Sequence, residues 1–96
     1  MTVDLKGTIK VIYAEKVVNE TLKKVEMVIT IDESTEYPQD IIVQVINSRI
    51  DLLKNFQSGF KVLAKCNLKG KANVSGKYFN QLNLWEINNI GRQTND

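Results

Sequence analysis

The segment from residue 69 to residue 85, KGKANVSGKYFNQLNLW, combines cationic and aromatic side chains and contains no acidic residue. Its lysines surround two glycines and three aromatic residues follow, in the order Lys69, Gly70, Lys71, Gly76, Lys77, Tyr78, Phe79 and Trp85. Ammonium groups neutralise phosphates and release their counterions, whereas aromatic rings offer flat faces on which bases stack. This combination indicates contact with a polyanion that carries exposed bases, which is a single-stranded nucleic acid.

Positive charge is concentrated in the second half of the chain, although the net charge is only +2. Residues 1–51 hold six basic and nine acidic side chains, whereas residues 52–85 hold six lysines and no acid. That second set includes Lys61 and Lys65 in addition to the lysines named above. The polarity favours a surface that attracts anions; a solvated lysine-rich surface without a ligand is the alternative.

Residues suited to catalysis or metal binding are few. The sequence contains no histidine, the commonest general base and metal ligand, and its one cysteine is Cys66, in an apolar alternating segment. A single cysteine forms neither an internal disulfide nor a cysteine metal cluster. Asp32, Glu33 and Glu36 are close in sequence but lack the spacing of a calcium-binding loop. We therefore predict a protein that is not an enzyme and has no cofactor or metal.

An alternation of apolar and polar residues with a period of two predicts five β-strands. The alternating segments are residues 5–13, 24–32, 41–46, 60–70 and 77–87. A polar connection, EKVVNETLKK, joins the first two, and Gly7 marks a bend in the first strand. Between the third and fourth strands, NSRIDLLKNFQSG predicts one short helix, because Ser48 and Asp51 match a capping box and Gly59 is a natural end.

Three strands, one helix and two further strands describe an all-β fold, the five-stranded OB-fold barrel with one short helix between strands 3 and 4. An SH3-like barrel is the nearest competitor. We expect a single domain over residues 1–90 and a short polar C-terminal tail over residues 91–96. No segment resembles a secretory signal or reaches the length of a membrane span, so we expect a cytoplasmic protein without a membrane partner.

The same alternation divides the aromatic residues between core and surface. Tyr13 shares the apolar face of the first strand, so we expect it in the core. Tyr78 and Phe79 are adjacent and point oppositely on a strand, so we expect one in the core and one exposed, in either order. Trp85 is out of phase with Leu84, which predicts either a bulge or a partly exposed ring. For Trp85, packing in the barrel is favoured over stacking on a base.

The C-terminal half, GFKVLAKCNLKGKANVSGKYFNQLNLWEI, resembles the corresponding part of bacterial OB-fold single-stranded DNA-binding proteins. The segments YPQDIIVQV and LLKNF resemble a group of short bacterial OB-fold proteins. The resemblance implies that single-stranded DNA binds along the barrel face between the second and third β-strands. The loop that joins β-strands 1 and 2 and the loop that joins β-strands 4 and 5 would wrap the DNA. It places Lys69, Lys71 and Lys77 in the basic hairpin and makes Tyr78 and Phe79 its aromatic residues.

The end of the chain, GRQTND, departs from the acidic C-terminal tail that many bacterial members carry. In that family the tail recruits replication and repair partners, so the resemblance does not extend to this role. A short bacterial or phage-encoded member without the tail fits the departure. We expect a role in DNA replication or repair.

We predict a protein that binds single-stranded DNA with little sequence preference through a basic groove and exposed aromatic residues. The predicted nucleic-acid-binding residues are Lys24, Lys61, Lys65, Lys69, Lys71, Lys77, Tyr78, Phe79 and Trp85. The alternative is an OB-fold module for protein–protein interaction or assembly that binds no nucleic acid. RNA and oligosaccharides are further ligands that the same barrel face serves. We also expect a homo-oligomer, because an unpaired strand edge invites pairing.

Overall fold

Six strands and one short helix follow one another in the computed structural model, which describes residues 1–91. The strands are β1 (Thr2–Ile12), β2 (Lys16–Asn19), β3 (Leu22–Ile31), β4 (Gln39–Ile46), β5 (Lys61–Ala72) and β6 (Tyr78–Asn89). A 3₁₀-helix, Asn47–Leu53, connects β4 to β5. Most of the predicted polar tail, residues 92–96, lies outside the described residues.

Five of the strands close into a barrel, and β2 is an extension at its edge. Neighbouring strands follow the order β1-β5-β6-β4-β3-β2, and a further β1–β3 pairing closes the ring. All pairings are antiparallel except β4–β6, which meet in parallel at Gln44 and Asn83. This confirms the predicted OB-fold barrel with one short helix. The connection EKVVNETLKK differs from the prediction, because its residues 16–19 form β2 and pair with β3.

The barrel core is entirely apolar. Its buried side chains come from the inward rows of five strands and from the helix, and no polar or charged residue within the described range is buried. The largest fully buried members are Ile9, Met27, Ile29, Val43, Val45, Val62 and Cys66. Fully burying one such aliphatic side chain stabilises the fold by about 1.5–3 kcal/mol. Gly7 pairs with Ile31 of β3, and a side chain at Gly7 would overlap the backbone of Thr30, so this position requires glycine.

The helix differs from the predicted capped helix. Its N-terminal boundary residue is Ile46 in an extended conformation, with no side-chain capping bond, and Ser48 lies inside the helix. Asn47, with φ 52°, accepts a hydrogen bond from the backbone N–H of Lys23 at 2.9 Å. A tertiary contact to β3 therefore starts the helix where the sequence suggested a local cap. No helix of the described chain has the length and apolar character to cross a membrane.

The predicted core position of Tyr13 is wrong, since its side chain is 52% exposed. The pairing of β1 with β3 shifts by one residue between Ile9 and Val11. Such a shift moves every later side chain to the other face of the strand. Ile12 therefore packs against the core, and Val11 and Tyr13 lie on the outward face.

Candidate nucleic-acid interface

The hairpin of β5 and β6 extends beyond the barrel as a two-stranded arm. The last buried residue of β5 is Cys66 and the first of β6 is Leu84, so the pairing from residues 69–72 to residues 78–81 has no core beneath it. We call residues 69–81 the arm. Six of its thirteen residues are lysine, asparagine or glutamine, which suits a segment in solvent.

Asn73 organises the turn at the tip of the arm. Its side-chain Oδ1 accepts hydrogen bonds from the backbone N–H groups of Ser75 and Lys77, both at 3.0 Å, and from the Ser75 hydroxyl at 2.8 Å. The Asn73 N–H donates to the carbonyl of Lys77 at 2.8 Å. Gly76 has φ 86°, a left-handed conformation that favours glycine. The turn therefore fixes the register of the two strands of the arm.

That register sorts the arm residues onto two faces. Lys69 lies opposite Gln81, and Lys71 lies opposite Phe79. Directly opposed side chains share a face, with their Cβ atoms about 4.5–5.5 Å apart. Ala72 and Tyr78 are opposed on the other face. The sequence pattern of lysines followed by aromatic residues thus becomes a lysine beside a phenyl ring in three dimensions.

The expectation that Tyr78 or Phe79 enters the core is wrong. Tyr78 is 84% exposed and Phe79 is 50% exposed. The two rings point oppositely, as predicted for neighbours on a strand, but both faces of the arm meet solvent. Each ring is therefore accessible to a ligand on its own side of the arm.

A cavity of about 380 Å³ lies between the base of the arm and the end of β4. Its lining, which we call the arm groove, consists of Ile46, Lys69, Gly70, Lys71, Phe79, Gln81 and Asn83. It combines two ammonium groups, one aromatic face, one aliphatic side chain and two side-chain amides. Amides donate and accept hydrogen bonds, so the arm groove presents cationic, aromatic and hydrogen-bonding groups together.

Three lining residues, Ile46, Gln81 and Asn83, were missed by the sequence analysis. Gln81 and Asn83 are in phase with Phe79 on the same strand, so the period-two alternation carried the signal for them. Ile46 comes from β4 and reaches the arm groove because β4 meets β6 at Gln44 and Asn83. No local pattern reveals that neighbour.

Two further predicted lysines lie beside the arm groove. Lys24 on β3 is paired across the sheet with Ile46, which is itself part of the lining. Lys77 is at the exposed turn of the arm. We call Lys24, Lys69, Lys71 and Lys77 the basic region.

Lys61 is not brought into this region. It begins β5, eight residues before Lys69, which corresponds to about 26 Å along an extended strand. It lines a different cavity, of about 250 Å³, with Lys6, Gly7, Asp32, Glu33, Ser34 and Ile90. Lys61 is therefore too far from the arm groove to contact a ligand bound there.

Lys65 and Trp85 form a separate contact on the outward side of β5 and β6. The pairing shifts between Lys65–Glu86 and Cys66–Leu84, so Trp85 is the extra residue of a bulge and is partly exposed. Both alternatives predicted for Trp85 thus hold together. The Lys65 ammonium lies 5.9 Å from the centre of the Trp85 ring and 3.9 Å from Glu86. The Lys65 ammonium therefore lies over one face of this ring.

The distribution of ion pairs leaves the arm basic. Within residues 1–91 the ion pairs are Lys10–Asp40, Lys16–Glu26 and Lys65–Glu86, at 2.9, 3.9 and 3.9 Å. Lys24, Lys69, Lys71 and Lys77 belong to none of them. Exposed ion pairs contribute little stability, yet they decide which lysines keep an uncompensated charge. The uncompensated charges of the basic region are available for phosphates.

Catalytic chemistry has little support among the described residues. Burial raises the pKa of the Cys66 thiol to about 11, so the thiol stays protonated at neutral pH and is a poor nucleophile. No three acidic, histidine or cysteine side chains of residues 1–91 are grouped so as to hold a metal ion. Of the neighbouring acids Asp32, Glu33 and Glu36, Glu33 instead accepts a hydrogen bond from the Thr8 hydroxyl at 2.7 Å.

Solved structures of mitochondrial single-stranded DNA-binding proteins from S. cerevisiae, named Rim1, resemble this chain. One is 14% identical with a TM-score of 0.77, and the match covers 94% of this chain and 95% of the yeast chain. A second is 15% identical with a TM-score of 0.72, and the match covers 93% and 92% of the two chains. At this low identity, the likeness establishes the OB-fold and leaves the ligand to be argued from the site.

Sequence comparison adds the family. Among curated proteins, none matches the sequence of this chain. The profile of one protein family, described as a domain of unknown function (DUF3127), matches residues 4–88. That range spans the barrel and the arm, from the first strand to the end of the last. The chain with its OB-fold barrel and basic arm is therefore a member of the DUF3127 family.

Proposed function

We propose that this protein binds single-stranded DNA, with little sequence preference, in the arm groove and along the adjoining basic region. The observation that carries the proposal is the register of the arm, which sets Lys71 beside Phe79 and Lys69 beside Gln81 on one face. The proposal is supported by the fold, since the structurally similar yeast proteins are described as single-stranded DNA-binding proteins.

The two parts of the site act on different parts of a strand. Lys69, Lys71, Lys77 and Lys24 neutralise successive phosphates and release counterions. Phe79 stacks on a base, an interaction that typically contributes about 1–3 kcal/mol by alanine substitution. Because neither contact depends on the identity of the base, the affinity is sequence-tolerant.

The remaining predicted residues take smaller parts in the proposal. Lys65 lies outside the arm groove and acts only through long-range attraction, which falls off beyond about 10 Å at 0.1 M salt. Lys61 begins β5, about 26 Å along the strand from Lys69, so we assign no binding role to it. Trp85 is covered on one side by Lys65, so we assign no stacking role to it. Tyr78 offers a ring on the opposite side of the arm, where it can contact DNA that leaves the arm groove.

The direct test is a fluorescence-anisotropy titration of the full chain with labelled oligo-dT at low and at physiological salt. We expect saturable binding that weakens as salt rises, because phosphate contacts release counterions. An uncharged morpholino oligomer of the same sequence is the matched control, and it should bind far more weakly. Absence of oligo-dT binding at low salt would refute the proposal.

A protein-interaction module is the second candidate, and one observation favours it. Among residues 1–91, the edge strand β2 pairs only with β3, and it exposes Val17 and Val18, at 68% and 51%. An unpaired strand edge with exposed apolar side chains is a template for pairing with another chain. Light scattering combined with the oligo-dT titration distinguishes the candidates, since association of the chain together with no binding of oligo-dT is expected only of the protein module.

A further inference from the structure

The tip of the arm is a closed hydrogen-bonded unit built around one side chain. Asn73 is half-buried, whereas every other residue of the arm is exposed. Three donors surround its Oδ1 atom: the backbone N–H groups of Ser75 and Lys77 and the Ser75 hydroxyl. Because no core lies beneath this part of the hairpin, the turn itself supplies the cover over Asn73. The side chain is therefore committed to the turn and not to solvent.

The backbone of the turn depends on a second residue, Gly76. Its N–H donates to the carbonyl of Asn73 at 3.1 Å, and its φ of 86° is left-handed. A methyl group at this position would meet no atom of residues 1–91 within 4 Å. The cost of a side chain there is therefore backbone strain and not a clash. Position 76 offers a way to loosen the turn that leaves the Asn73 side chain in place.

The turn stands next to the residues that carry the proposed site. Counting from the turn, Ala72–Tyr78 is the first pair of the arm and Lys71–Phe79 is the second. A two-stranded ribbon without a core is only marginally stable in water, so it opens from its tip when the turn is loosened. Opening of the first two pairs separates Lys71 from Phe79. Asn73 is not among the residues that line the arm groove.

We propose that Asn73 is a positioning residue for single-stranded DNA: it holds the arm in the conformation that sets Lys71 beside Phe79, and it does not itself contact the DNA. This inference rests on the proposed function and names the device that forms the site before the ligand arrives. When a site is formed for only a fraction of the time, its apparent affinity falls by that fraction. The complex that forms still has the same phosphate contacts. Loosening the turn therefore weakens binding equally at every salt concentration.

The test loosens the turn in two independent ways, with Asn73→Ala and Gly76→Ala, and measures oligo-dT anisotropy at several salt concentrations. For Asn73→Ala we expect about a tenfold loss of affinity, because three donors lose their acceptor. For Gly76→Ala we expect about a fivefold loss from the strained backbone. In both variants the slope of log affinity against log salt should equal that of the wild type. Without DNA, the arm amides should exchange hydrogen faster, while the urea midpoint of the barrel stays unchanged.

Asn73→Asp is the conservative variant that should rescue the arm. Aspartate keeps the Oδ1 acceptor and forms the same kind of turn, but it adds a negative charge. Asn80→Asp is its matched control, because Asn80 is exposed, lies opposite Gly70 in the same arm and is outside the turn. The two aspartate variants should bind oligo-dT with affinities that agree within about twofold, since they differ only in the position of one charge. Arm amides of Asn73→Asp should exchange as slowly as those of the wild type.

The outcomes separate the positioning role from the proposed function. Wild-type affinity in both Asn73→Ala and Gly76→Ala would refute the positioning role and leave the proposed function standing. A loss confined to Asn73→Ala, with Gly76→Ala binding like the wild type, would show that the Asn73 side chain touches the DNA, which also refutes it. Failure of the wild-type chain to bind oligo-dT would instead refute the proposed function, and the inference with it.

Discussion

Removal of the two arm-groove lysines gives a quantitative test of where the phosphates bind. In the double variant Lys69→Ala with Lys71→Ala, both ammonium groups that line the arm groove are lost. Neither lysine belongs to an ion pair within residues 1–91, so no carboxylate is left without its partner. Both residues are exposed and belong to the arm, so the core is unchanged. The expected effect is therefore on binding and not on folding.

The magnitude follows from counterion release. For a single strand, each phosphate contact contributes about 0.7 to the slope of log affinity against log salt. Loss of two contacts should therefore lower the absolute slope by about 1.4. Over a rise from 50 to 200 mM salt, a change of that size alters the ratio of wild-type to variant affinity by about sevenfold. The variant is weakest relative to the wild type at low salt, and the two converge as salt rises.

The assay is the oligo-dT anisotropy titration at four or more salt concentrations, with one oligonucleotide length throughout. The matched control is Lys6→Ala with Lys61→Ala, which removes the same charge from the cavity at the other end of the barrel. Because its lysines are remote from the arm groove, the control should keep a slope close to that of the wild type. Equal slopes for the arm variant and the wild type would show that the phosphates bind elsewhere.

Two further predictions concern single side chains. Phe79→Ala should weaken oligo-dT binding by about 1–3 kcal/mol at any salt concentration, while Phe79→Trp should retain it; equal anisotropy curves for Phe79→Ala and wild type would contradict stacking. The pKa of the Cys66 thiol is raised by burial from 9.0 to about 11. The contribution of the buried, protonated thiol to the free energy of unfolding is therefore complete below pH 9 and is lost as pH rises toward 11. The stability difference between wild type and Cys66→Ala, measured by urea unfolding, should shrink over that range; a constant difference would contradict the buried thiol.

Periodicity predicted the barrel well because each strand has one inward row. Val25, Met27 and Ile29 alternate in the sequence, and all three are buried in the structure. The order of strands and helix then limited the topology to very few folds. The β-strand character of residues 16–19 escaped prediction, since β2 has no buried side chain and gains its order from pairing with β3.

The aromatic residues whose burial was predicted wrongly lie where the alternation of a strand no longer corresponds to the core. Either the pairing of the strand shifts, or the strand extends beyond the core. Tyr13 turned outward through a one-residue shift in the pairing of β1, and alternation cannot reveal such a shift. The alternation predicts one of Tyr78 and Phe79 in the core and the other in solvent, but β5 and β6 continue beyond the barrel and both rings are exposed. The local pattern of lysine and aromatic residues predicted which residues lie together in the arm, but it could not predict where the barrel core ends.

The barrel and the arm differ in how much of their order the core supplies. The inward side chains of the barrel strands fill a fully apolar core, so the geometry of the barrel is fixed before a ligand arrives. The arm has no core, and a two-stranded ribbon is only marginally stable in water. Its order depends on the Asn73 turn and on Leu68 and Leu82, which are partly buried at its base. Ligand binding should therefore protect arm backbone amides from hydrogen exchange far more than those of the barrel, because only the arm has stability left to gain.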